Sequence, residues 1–261
     1  MNDRVRLAGI SIDSLTMEQA VQQLLAWVRQ PDAGCRYVVT PNVDHAVLFQ
    51  RNAALRAAYD GAALVLADGM PLVWTSRLLG HALPERVTGS DLVPAVFAAV
   101  PEEQRLRVFL LGAAAGVGER AAANIARRWP AVEVVGTYSP PLGFEHDGVE
   151  NEAILQRVAA ARPDVLVVGL GAPKQELWVH KYRGQIAAPI ALCVGATIDF
   201  LAENVSRAPV WMRTSGLEWL HRLASQPRRL AARYARDAWI FPQLVLRDLL
   251  AARGQSARTV N

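Results

Sequence analysis

The segments "RYVVT", "ALVLA", "LRVFLLG", "DVLVVGLG" and "IALCVG" are apolar almost from end to end, without the alternation of a sheet that has one wet face. A strand of that kind needs both faces covered, and crossover helices supply the cover in parallel sheets. Helical patterning duly falls between them. One stretch runs from Thr16 to Arg29, opening with a T-x-x-Q capping box at Thr16 and Gln19 and stopping before Pro31. Others follow Pro41 to about Tyr59, then Met70 to Leu79, Asp91 to Val100, Val117 to Trp129, Val149 to Ala161 and Lys174 to Tyr182. With "VRLAGI" and "VEVVG" as further strands, the order predicts an α/β fold: a doubly wound, mostly parallel, Rossmann-like sheet in residues 1–204. Residues 205–261 read as a helical appendage with breaks at Pro209, Pro227 and Pro242.

A 261-residue chain of 52% hydrophobic composition has enough apolar surface for one substantial domain plus such an appendage. Its apolar runs all fall short of the roughly 18 residues of a membrane span, and the first residues lack a signal peptide's basic start and apolar core. The expectation is a cytoplasmic protein. Cys35 and Cys193 lie in apolar runs and read as buried free thiols. The net charge of +4 is uneven: from Arg207 onward ten arginines face only Glu218, Asp237 and Asp248. Laced with Trp211, Trp219, Trp239, Leu246 and Leu250, this tail suits an anionic membrane surface, with a plain solvated helical face as the competing reading. No nucleic-acid motif accompanies it, so no nucleic acid is expected as a partner.

Ligands in such sheets gather at the carboxyl ends of the strands. The polar residues there include Thr40 and Asn42 in "TPN", Asp68 before Gly69, Gly112 in "GAAAG", Tyr138 in "GTYSPP", Gly171, Lys174 and Gln175 in "GLGAPKQE", and Asp199 in "GATIDF". Gly112, Gly116 and Gly118 precede a helix whose start would suit a phosphate, or they serve tight strand-to-helix packing; their spacing is not the dinucleotide fingerprint. Asp68 is the unusual group, a bare carboxylate in "LVLADGMPLVW". It either caps the helix that starts near Met70 or faces a ligand.

The motifs "TPNVDH", "LADGMPLVW", "LPERVTGSDL", "FLLGAAAGV", "GLGAPKQE", "IDFLAENVSRAPVWM" and "GLEWLHRLASQPRRL", in this order from about Val5 to Tyr234, resemble the WecG/TagA/CpsF family of bacterial glycosyltransferases, family 26. The resemblance implies an inverting transfer of a sugar from a UDP-sugar to a polyprenyl-diphosphate-linked sugar, at the inner face of the cell membrane, in surface or exopolysaccharide synthesis. Asp68 resembles the family's proposed base. Thr40, Asn42 and Gln175 match pocket positions, and Asp199 is expected near the nucleotide or the pocket floor. Gly112, Tyr138, Gly171 and Lys174 are the expected nucleotide contacts. The chain has no D-x-D metal motif, so Arg86, Arg222 and Arg229 are expected to neutralise the leaving diphosphate, without metal or other cofactor.

The tail is then expected to dock on the membrane and close over the site, leaving a folded core when residues 205–261 are removed; it also offers a surface for homo-oligomers. Val43, Glu203 and Ala232 depart from the family pattern, Glu203 standing where glycine is usual after "DFLA". Two other readings compete: an NAD-dependent oxidoreductase, and a non-enzymatic membrane-peripheral binding protein.

Overall fold

A computed structural model describes residues 3–30 and 34–258, with 210, 214, 229 and 253–258 as backbone alone. The chain opens on an antiparallel hairpin, β1 (Arg4–Leu7) and β2 (Ile10–Asp13), where the sequence suggested one strand. Ala8 and Gly9 make the turn, with φ of 48° and 84°. The order continues α1 (Met17–Val28), β3 (Arg36–Val39), α2 (Val43–Phe49), α3 (Ala53–Asp60), β4 (Leu64–Val65), α4 (Met70–Leu78), α5 (Gly89–Ala98), β5 (Leu106–Gly112), α6 (Val117–Arg128) and β6 (Val132–Tyr138). It closes with α7 (Gly148–Ala161), β7 (Val165–Gly169), α8 (Lys174–Tyr182), β8 (Ile190–Cys193), α9 (Thr197–Leu201), α10 (Val210–Thr214), α11 (Glu218–Ser225) and α12 (Pro227–Arg258).

The main sheet has the order β4-β3-β8-β7-β5-β6, and every pair is parallel. Successive residues of its central strands enter two different cores. Val39, Leu111, Val168 and Cys193 pack with Trp178, Val179 and Phe49; Val38, Leu110, Val167 and Leu192 pack with Leu24, Phe97 and Ile125 on the other face. That two-sided burial is why the strands carry no polar alternation. The capping box of α1 is present, the Thr16 hydroxyl accepting from the backbone N–H of Gln19.

The helical stretch after Pro41 is two helices. Asn52 accepts the backbone N–H of Leu55 at 2.9 Å and so starts α3 afresh. The hairpin is fastened to the sheet edge by Asp13, whose buried carboxylate accepts the backbone N–H of Val65 at 2.9 Å and pairs with Arg4.

Pro227 and Pro209 stand at helix starts, but Pro242 does not break the tail: α12 runs through it. One lost backbone hydrogen bond is tolerated there because packing holds the helix on both sides of it. Leu230, Asp237, Phe241 and Leu244 line its inner face, and Phe241 and Leu244 belong to the same core as Phe49 of α2. Asp248 also accepts the backbone N–H of Ala8 at 2.6 Å. Removing residues 205–261 would strip Ala208, Leu230, Phe241 and Leu244 from buried positions.

Candidate active site at the carboxyl edge of the sheet

Asp68 follows β4, and its backbone N–H donates to the carbonyl of Pro41 at 2.8 Å, tying it to the turn after β3. Gly69 beside it has φ of 135°, a conformation open essentially to glycine alone. Gly69 also caps α4, with no side-chain cap bond, so the carboxylate does not serve as the cap that its sequence position suggested. The side chain is half-buried, and no described residue donates a hydrogen bond to it. Burial raises its pKa to about 6, helped by the charge of Glu218 and opposed by Arg86, Arg222 and His45.

"TPN" and "GAPKQE" meet behind it. The Thr40 hydroxyl donates to the Cys193 carbonyl at 3.2 Å, and Gln175 Oε1 accepts the backbone N–H of Gly195 at 3.1 Å. Gln175 Nε2 donates to Glu176 Oε1 at 2.7 Å, and His45 Nε2 lies 3.3 Å from the same oxygen. His45 Nδ1 is 2.9 Å from Oδ1 of Asn42, the residue that caps α2. Sequence reasoning missed His45 and Glu176; adjacent polar residues at the start of an otherwise apolar helix were the available sign.

On the other side of Asp68 is a cluster of arginines. Arg86 donates to Glu218 at 3.1 Å and to Asp91 at 3.4 Å. Arg207 and Arg213 reach the second oxygen of Asp91 at 2.7 and 3.4 Å. Burial opposes the Asp91 charge, but Arg207 and the other donors outweigh it and its pKa is lowered. Arg207 and Arg222 lie over the Phe200 ring at 5.4 and 5.8 Å. The buried Nε groups of Arg207 and Arg213 meet no acceptor. Four guanidinium groups against Asp91 and Glu218 leave positive charge beside Asp68, which an anion such as a diphosphate complements. Arg207 and Arg213 were not singled out in the sequence. Arg229 lies outside the described side chains.

The tail reaches this place by close packing. A Cβ on Gly216, between α10 and α11, would stand 2.8 Å from that of Met70, so the turn lies against α4 and sets Glu218 and Arg222 beside Asp68.

The remaining candidates have other partners. A Cβ on Gly112 would come within 2.4 Å of the Gly169 carbonyl, so this glycine lets β5 and β7 approach. Tyr138 donates to Glu150 at 2.6 Å, and Lys174 pairs with Glu145 at 2.8 Å. Gly171, at φ of 79°, has open space around it. Gly171 does join the group around Asp68, its carbonyl accepting the backbone N–H of Gln175 at 3.0 Å; among the described residues the side chains of Tyr138 and Lys174 bond elsewhere. Asp199 accepts from Asn204 at 3.2 Å and so braces the loop that follows α9.

Glu203 in that loop has φ of 55°, which gives a physical reason for glycine there. Its side chain is exposed. Glu203→Gly is expected to stabilise the fold by about 0.5–1 kcal/mol, relief of strain exceeding the added freedom of the unfolded chain; a lower midpoint in urea would contradict this.

The model of the glycosyl transferase WecG/TagA/CpsF family matches residues 5–255. A Bacillus spizizenii protein named N-acetylglucosaminyldiphosphoundecaprenol N-acetyl-beta-D-mannosaminyltransferase is 33% identical over 193 residues, covering 74% of this chain and 72% of its own. A Staphylococcus aureus protein of the same name is 26% identical over 230 residues, 87% of each chain.

Proposed function

Since the chain belongs to the WecG/TagA/CpsF family of glycosyl transferases, we propose that it moves a sugar from a UDP-sugar onto a polyprenyl-diphosphate-linked sugar, with inversion and without a metal ion. The observation that carries this reading is one carboxylate, Asp68, held in partial burial between a buried polar network and a cluster of arginines. A base must take the proton of the acceptor hydroxyl as its oxygen bonds to the anomeric carbon and the bond from that carbon to UDP breaks. Asp68 takes the proton, and a carboxyl raised to about 6 is a stronger base than a free Asp while still ionised at pH 7. The electron pair leaves on the diphosphate, which Arg86, Arg207, Arg213 and Arg222 neutralise. The names of the relatives favour N-acetylmannosamine as the sugar transferred and N-acetylglucosamine as the acceptor sugar.

No helix among the described residues is long and apolar enough to cross a membrane. The proposed contact with the cytoplasmic face is peripheral. It uses the exposed Trp211, Trp239, Leu246 and Leu250 of the tail, and a cavity of about 760 Å³ between the hairpin and α12 in which Arg4, Arg6, Arg56 and Arg247 outnumber Asp60 and Asp248. The family match favours this reading over the oxidoreductase and the non-enzymatic binding protein.

The test is to incubate the purified protein with several UDP-sugars and an N-acetylglucosaminyl-diphosphate-polyprenol, with and without EDTA, and to weigh the products. Transfer of N-acetylmannosamine undiminished by EDTA is expected. Product with no UDP-sugar at all would refute the function, and loss of activity on chelation would refute metal independence.

A further inference from the structure

Glu176, in the first turn of α8, is fully buried. Both of its partners, Gln175 and His45, meet Oε1; Oε2 meets no donor. A carboxylate so enclosed is costly unless a positive charge faces it. His45, also buried, has an acceptor at each ring nitrogen: Glu176 at Nε2 and Asn42 Oδ1 at Nδ1. The Asn42 oxygen is identified by its second bond, from the backbone N–H of His45 at 3.3 Å. The backbone N–H of Asn42 also points at Nδ1, but at 3.4 Å it is the weaker contact. The ring satisfies both acceptors only when both nitrogens carry protons.

We propose that the Glu176–His45 pair is a positioning device for the transfer, an imidazolium on a buried carboxylate that fixes the Asn42 amide and sets a positive charge beside Asp68. With its oxygen taken twice, the amide keeps its NH2 without a described protein acceptor, next to Gly69 and the Asp68 turn. That leaves two donors for a sugar hydroxyl. His45 is faced by Glu176 from α8, by Asp44 on its own helix, which Arg233 and Arg236 of α12 hold, by Tyr59 of α3, and by Asp68. Burial works against a charge on the ring, but the bond to Glu176 and the three carboxylates outweigh it and raise its pKa. Asp68 is faced by Glu218 and Arg222 of α11, by Arg86, and by His45.

This role rests on the transferase reading, so the test has one arm that needs no activity. In the native protein, NMR titration of the His45 ring is expected to show it protonated at pH 7, and in Glu176→Gln neutral there. A neutral ring in the native protein would overturn the proposal, whatever the enzyme does. The second arm is the pH profile of kcat/KM. His45→Asn keeps a donor near the place of Nδ1 but loses the charge, so the acid limb set by Asp68 is expected to rise by about half a unit or more. His45→Gln reaches toward Glu176 and releases Asn42, and its kcat is expected to fall about tenfold, more than in His45→Asn. An unmoved acid limb in His45→Asn with a native melting temperature would sink the proposal while leaving the transferase standing. Absence of native transfer would instead sink the transferase reading.

Discussion

Asp68→Asn is expected to slow sugar transfer by about 100-fold or more and, at pH 8, to raise the melting temperature. Asparagine has nearly the shape of aspartate but accepts no proton, so under the proposed mechanism the acceptor hydroxyl loses its base. The stability gain comes from the same burial that makes the base. Folding lifts the Asp68 pKa from 3.8 to about 6, so the folded state binds the proton more tightly than the unfolded chain. Above pH 6 the ionised group penalises the folded state, by an amount on the order of 1–3 kcal/mol once partial exposure is allowed for. The penalty shrinks as pH falls through 6 and is gone only well below the unfolded value of 3.8, where both states are protonated. Native and variant melting curves should thus converge on acidification, differing at pH 8 by a few degrees. Activity should show the converse, an acid limb near pH 6 in the native enzyme. Unchanged turnover in the variant removes Asp68 as the base; a lower melting temperature at pH 8 shows that the carboxylate is stabilised, not strained, by its setting.

The parts of the fold legible in the sequence were those set by local pattern and two-sided burial. β3, β5, β7 and β8 carry their apolar runs because both faces are covered, and the Thr16 capping box is a contact between residues three apart. The break between α2 and α3 hid behind continuous helical patterning, because one cap at Asn52 decides it. Pro242 misled because the inner face of α12 is held on the core at Phe241 and Leu244, so tertiary packing overrides the local cost. Near Asp68, the strand-end rule pointed to Asp68, Thr40, Asn42 and Gln175, which the fold brings together. It could not find the Asp91 cluster, since Arg207 and Arg213 reach Asp91 across more than a hundred residues of chain. Nor could it show that Gly112 stands where β5 and β7 come close, a contact between strands far apart in the chain.

Arg86→Ala is expected to lower kcat/KM by about 10²–10³-fold and to weaken UDP binding, with little recovery in Arg86→Lys. Arg86 bridges Glu218 and Asp91, so its guanidinium orders the acids that hold Arg207 and Arg213 as well as adding its own charge. A lysine has one compact ammonium in place of that fork and cannot span both carboxylates. Its loss also reaches the base: Arg86 holds the Asp68 pKa down, and Glu218, left with Arg207 at 3.8 Å, pushes it up. The acid limb of the variant should accordingly move above pH 6, a change that mere loss of diphosphate affinity would not produce. Calorimetry with UDP and the pH profile of kcat/KM measure the two effects separately. Native UDP affinity with kcat/KM within threefold of the native enzyme would mean that the diphosphate is held elsewhere, and the arginine cluster would then be a brace for the tail.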